Sequence, residues 1–150
     1  MRLTKSFEEA SPSTQAWWSC SGLVYFLGVG RPTIAVKIGM LAISKGNSLQ
    51  TALARRLSSI QSSNNELVYV LGLVHFTEGK HPTKDAEDLE RSLHLEFAHL
   101  ARFEVNTRGA EWFNADPELL AKVQEQSRPH TEFGMPHAIG TLARVHTSEA

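Results

Sequence analysis

A mixed α/β (α+β) domain is what this sequence predicts, on three observations. Two β-rich runs meet across a turn between Gly22 and Gly39, a third apolar run spans Glu66 to Phe76, and the stretches between and after them carry apolar residues at helical spacing. A length of 150 residues matches one domain, and 41% hydrophobic content suffices for a single core.

Residues 1–20 have no firm period and contain the turn cluster Ser-Pro-Ser-Thr, so they read as an N-terminal arm or a short helix. Trp17 and Trp18 could stack on bases, but adjacent aromatics ahead of a strand more often pack an edge of the core. The domain proper is expected over 21–126. It opens with a hairpin: Leu23 to Val29 and Thr33 to Leu41 are dense in β-branched and aromatic residues, and Gly30-Arg31-Pro32 between them has turn chemistry. Lys37 interrupts the second, otherwise apolar strand. Centring the hairpin on Arg31 sets Tyr25 opposite Lys37 on one face, and a one-residue slip would separate them.

Ser48 can cap a helix running to about Ser62. Leu49, Leu53, Leu57 and Ile60 form its apolar stripe, and Arg56 falls inside that stripe while Arg55 points elsewhere, solvated or facing phosphate. A guanidinium on a buried side needs an anionic partner, a ligand or a structural carboxylate, unless it snorkels. The third strand, Glu66 to Phe76, is nearly all apolar and suits a central or doubly covered position, with His75 structural. After a loop, a helix is predicted from about Lys84 to Phe103. Its stripe is Ala86, Leu89, Leu93, Phe97 and Leu100, and Glu90 and His94 project together from the stripe's border. That pair could hold a metal, although a plain surface pair is the usual outcome of such spacing. Arg108 to Asn114 read as a turn plus a short apolar element, and Asp116-Pro117 starts a last helix to about Gln126. Ser127 to Ala150 carries Pro129, Gly134, Pro136 and Gly140, with His130, His137 and His146 at no ligand spacing, and reads as a flexible C-terminal tail over 127–150.

The formal net charge of −1 conceals a polarity. No acid occurs between Glu9 and Glu66, whereas Arg31, Lys37, Lys45, Arg55 and Arg56 all fall there, so one positive face could meet an anionic partner. No apolar run approaches a membrane span, Cys20 is alone, and the chain is expected to be cytoplasmic.

Taken together, these pieces resemble the GIY-YIG nuclease superfamily, and within it the branch of the meiotically up-regulated gene 113 protein and phage T5-type domains. Leu23-Val24-Tyr25 stands where that superfamily has Gly-Ile-Tyr, and Lys37-Ile38-Gly39 where it has Tyr-Ile-Gly. Arg56-Leu57-Ser58-Ser59-Ile60-Gln61 resembles the branch's Arg-Leu-x-x-Leu-Gln, Glu90 to Phe97 its Glu-x-x-Leu-His-x-x-Phe, and Glu111-Trp112-Phe113 its Glu-Trp-Phe. The resemblance implies a small three-stranded antiparallel sheet flanked by helices, with the site on the sheet face carrying the hairpin tyrosine. It implies hydrolysis of a DNA phosphodiester with one divalent cation, Mg²⁺ or Mn²⁺, held by Glu90. By the same resemblance Arg56 and the metal would stabilise the charge gathering in the transition state. Tyr25 and Lys37 would orient or activate the attacking water, and His94 would carry a proton or hold Glu90. Gln61, Glu111 and Trp112 would stand behind them, and Arg31, Lys45 and Arg55 would contact DNA. Lys37 replaces the second tyrosine, as in this branch and some restriction enzymes of the superfamily. Ile60 stands where some of these nucleases have Tyr or His, and the late asparagine has two candidates, Asn106 and Asn114.

Two other classes compete: a nucleic-acid-binding module that keeps the fold without turnover, and a protein-binding domain. The presence of Tyr25, Lys37, Arg56 and Glu90 together favours the enzyme, since a pure binder has no use for a carboxylate facing phosphate. No base-reading motif is present, so target choice would rest on DNA structure, a homodimer or a targeting partner protein.

Overall fold

The computed structural model describes residues 6–103 and 111–135. Its elements run α1 (Pro12–Ser19), β1 (Ser21–Val29), β2 (Ala35–Ile43), α2 (Leu49–Ser62), β3 (Val68–Phe76), α3 (Pro82–Glu96), a 3₁₀ turn (Ala98–Leu100), β4 (Trp112–Asn114), α4 (Pro117–Gln126) and a second 3₁₀ turn (His130–Phe133). Caps act where the sequence offers them: Ser11, Ser48 and Asp116 each accept a first-turn backbone N–H. Among the described residues, no helix is long and apolar enough to cross a membrane.

The sheet is antiparallel with order β3-β1-β2-β4, four strands where three were expected. β4 has only three residues, too few for a period to show. It earns its place by alternation: Trp112 packs toward one side of the sheet and Phe113 is buried on the other. Of the two positions expected for the third strand, central or doubly covered, the second holds: Val68, Val70 and Leu73 enter one core while Leu71 and Val74 pack on the other. β1 is central and buried along nearly its whole length, whereas β3 is at the end of the order with a half-buried C-terminal part.

The hairpin register differs from the one centred on Arg31. Val29 pairs with Ala35, so the turn is centred on Pro32, Tyr25 lies opposite Gly39, and Lys37 lies opposite Leu27. Tyr69 of β3 explains the longer turn, because its hydroxyl donates to Gly30 O (2.5 Å) and lies 2.6 Å from Thr33 Oγ1, drawing Thr33 out of the strand. The shift is by an even number of positions, so Tyr25 and Lys37 still share a face.

Each face has its own core. Leu23, Tyr25 and Leu27 pack with Leu53 and Leu57 of α2, while Val24, Phe26 and Ile38 pack with Leu93 of α3, Phe113, and Leu119 of α4. α3 ends earlier than the predicted Phe103: Phe97, buried at its C-cap, anchors a turn that carries Ala101 to Phe113 and lets Arg102 N–H donate to Trp112 O. At the N-terminal side Trp18 is buried beside Phe7 and His81, and Trp17 is exposed. At the C-terminal side the expected tail is docked through Met135. Leu73 and Arg128 exchange both backbone hydrogen bonds at 2.9 Å, and Phe133 and Met135 pack on the α2-side core. Asn106 and the turn at Arg108, like residues 136–150, lie outside the described residues.

Candidate metal and phosphate site at the edge of β2

β4 pairs with β2 only over Ala35 to Lys37, with one further bond from Ile38 N–H to Glu111 O. Past that point two β2 carbonyls, Ile38 and Met40, face away from β1 and need other partners. His94 Nε2 lies 2.9 Å from Ile38 O, and Arg56 Nη1 donates to Met40 O at 3.2 Å. Side chains from helices on opposite faces therefore converge on one strand edge.

This geometry corrects the expectation of a site on the tyrosine face alone. α2 covers that face and α3 covers the other, so Glu90 and His94 come round the edge of β2 from behind. Their place on the border of the α3 stripe makes this reach feasible.

Tyr25 is 1% exposed, and its hydroxyl accepts from Arg56 Nη1 at 2.9 Å. The guanidinium also lies 5.8 Å from the phenol ring centroid. Burial holds the Tyr25 phenol above its usual value, and the charge and hydrogen bond of Arg56 oppose the rise. The cation at the phenol is thus Arg56. Lys37, expected opposite Tyr25, instead pairs through Nζ with Glu111 Oε2 at 3.1 Å and lies 5.8 Å from the centre of the Trp112 ring, its cross-strand neighbour.

Glu90, His94 and Glu111 each offer one ligand atom, and those atoms lie within 4.8 Å of one another. Burial pushes the Glu90 carboxyl up to about 7, helped by the charges of Glu111 and Glu87 and opposed by Lys37 and Arg56. A carbonyl only accepts, so in the neutral His94 ring Nε2 carries the proton and Nδ1 keeps the lone pair. Two carboxylates and one imidazole nitrogen could hold a metal ion, whose charge would offset the crowding that raises Glu90. Glu111 was expected only as support. Its Glu-Trp-Phe context was a sequence signal, but nothing in a one-dimensional pattern placed it between Lys37 and Glu90.

Other expected contacts separate. Arg55 lines a small cleft with Arg56, Asn47 and Ser59, whereas Arg31 and Lys45 are exposed beyond opposite ends of β2. Gln61 does not support the site: its Nε2 donates to Glu66 O (2.9 Å) and its Oε1 accepts from Val68 N–H (2.8 Å), which closes the α2–β3 connection. Ile60 packs on the α2-side core. Asn114 accepts from Arg102 Nη1 at 3.0 Å, beside the hairpin turn.

No curated protein and no solved structure matches the chain. A family model does match, the T5orf172 domain, over residues 22–128, and that span contains Tyr25, Lys37, Arg56, Glu90, His94 and Glu111. The chain belongs to the T5orf172 domain family, a domain found in phage T5 ORF172 and related to GIY-YIG-type nuclease-like proteins.

Proposed function

We propose that this protein is a divalent-metal-dependent DNA endonuclease of the GIY-YIG type. The observation that carries the reading is the convergence of a phenol, two cations, two carboxylates and an imidazole on one strand edge, drawn from both faces of the sheet. Structural ion pairs need two groups. Six groups of these types match what phosphodiester hydrolysis requires: a held water, a place for a cation, and positive charge where the transition state becomes more negative.

Glu90, His94 and Glu111 would hold the cation, which when bound supplies Lewis-acid polarisation of a phosphate oxygen and neutralises charge. Arg56, with one nitrogen committed to Tyr25 and Met40 O, presents the rest of its fork to a non-bridging oxygen. Lys37 balances Glu111 and adds a second positive charge beside the phosphate. Tyr25, neutral at neutral pH because burial raises it, orients the attacking water by hydrogen bonding. The water oxygen bonds to phosphorus as the P–O bond to the leaving strand breaks; the water's proton passes to bulk solvent, and the leaving oxygen, its negative charge met by the same cationic edge, takes a proton from solvent.

DNA is the substrate in this reading, and its choice of target rests on DNA structure, a second copy or a targeting partner. The test is a supercoiled plasmid incubated with the full chain in Mg²⁺ or Mn²⁺ and in chelator. Nicking that needs the cation and is lost in Glu90→Ala supports the reading. Salt-sensitive DNA binding with no cleavage under any cation leaves a binding module in its place.

A further inference from the structure

We propose that the cleft adjoining Lys37 is a stacking pocket for an unpaired nucleobase next to the scissile phosphate, so that the favoured DNA is single-stranded or carries a flap. The inference deepens the hydrolase reading and rests on it for the position of the phosphate. The cleft has a volume of about 610 Å³ and is lined by Lys37, Trp112, Ile34, Phe103, Asn64 and Arg102 among others. That size falls within the range of small-molecule sites and accommodates a nucleotide.

Three features single it out. Lys37 belongs both to the cleft and to the candidate site, so a strand held at the β2 edge is delivered into the cleft by its next nucleotide. Of the four large apolar side chains that are exposed among the described residues, two line this cleft, Ile34 at 53% and Phe103 at 50%. With Trp112 they form apolar and aromatic walls that water wets poorly, and exposed apolar surface grouped in this way marks a ligand site. The margin is polar, with the cations Lys37 and Arg102 and the neutral Ser63 and Asn64 outnumbering one exposed acid, Glu66. Arg102 is held by Asn114 Oδ1 (3.0 Å) and Ile34 O (3.4 Å), and Asn64 is fixed through Nδ2 to Ile60 O (2.7 Å). A guanidinium can meet phosphate or stack on a base, and an amide can meet a base edge. Aromatic walls take any base, since every base has a π-face, and a paired base reaches them only by leaving its stack.

The test compares a short dye-labelled thymidine oligonucleotide with an abasic oligomer of the same length and charge. Binding to the full chain is read by fluorescence anisotropy in chelator. The base-bearing strand is expected to bind about tenfold or more tightly, and Phe103→Ala and Ile34→Ala are each expected to shrink that ratio toward one. Both side chains are half exposed, so neither substitution opens the core, and circular dichroism checks the fold. Equal affinity for the two oligomers, no binding of either, or a ratio that neither substitution shrinks would overturn the proposal. No cleavage occurs in chelator, so absence of plasmid nicking in Mg²⁺ counts against the hydrolase reading alone.

Discussion

Tyr25 lies directly opposite Gly39 across the β1–β2 ladder, and its ring and hydroxyl fill the space that a Cβ at position 39 would occupy. The glycine is therefore the floor on which the phenol rests, and Arg56 locks the phenol from above by its 2.9 Å hydrogen bond. Gly39→Ala is expected to push the ring aside and break that bond. It should destabilise the fold by about 1–3 kcal/mol, as overpacking does, and lower nicking activity at least tenfold. Urea unfolding and plasmid nicking check the two effects separately. Unchanged nicking would mean that the position of the phenol does not matter.

Glu90 sets a pH dependence of stability in the metal-free protein. Its carboxyl is raised from 4.5 to about 7 in the folded state, so the folded form holds the proton more tightly than the unfolded chain. The associated stabilisation is complete below pH 4.5 and is lost as pH rises through about 7. Glu90→Gln, which cannot ionise, should therefore melt higher than the wild type at pH 8 in chelator, with the gap closing toward pH 5. Equal melting temperatures at both pH values would show that the carboxyl is well solvated.

Binding of Mn²⁺ follows from the same proton. The cation needs the carboxylate, so affinity should rise by up to about tenfold per pH unit below 7 and flatten above it. Calorimetry at pH 6 and pH 8 measures this. Glu90→Gln, His94→Ala and Glu111→Gln should each weaken binding, and a full-strength site in either of the last two would remove that residue from the ligand set.

Arg56→Lys retains the charge but not the fork that reaches Tyr25 and Met40 O together. Arg56 is exposed, so the fold should tolerate the change to within about 1 kcal/mol, while nicking falls roughly 10- to 100-fold because phenol and phosphate can no longer be held at once. A lysine variant with wild-type activity would reduce Arg56 to a point charge.

Lys37→Met tests the second cation. Its partner Glu111 is half exposed and can return to water, so the loss in stability should be small. Activity should drop roughly 100-fold or more if the ammonium stabilises the developing charge. Parallel losses of stability and activity would instead make Lys37 a brace for β4.

Much of this architecture was written in local patterns. The hairpin, the capped α2, the apolar third strand and the Asp116-Pro117 start of α4 follow from propensities and caps acting over a few residues. The parity that keeps Tyr25 and Lys37 on one face also follows, because alternation survives any even shift of register. The stripe of α3 likewise placed Glu90 and His94 on its border before any neighbour was known.

What only the folded chain decided are the pairings between distant segments. Tyr69 lengthened the hairpin turn and moved Tyr25 from Lys37 to Gly39. β4, three residues long, became a strand because β2 offered it an edge and two cores took its alternate side chains. Its early end left the Ile38 and Met40 carbonyls open, and that gap brought α2 and α3 from opposite faces to a common site. Local sequence sets which side chains can point together, whereas the length of one short neighbouring strand determined where they met.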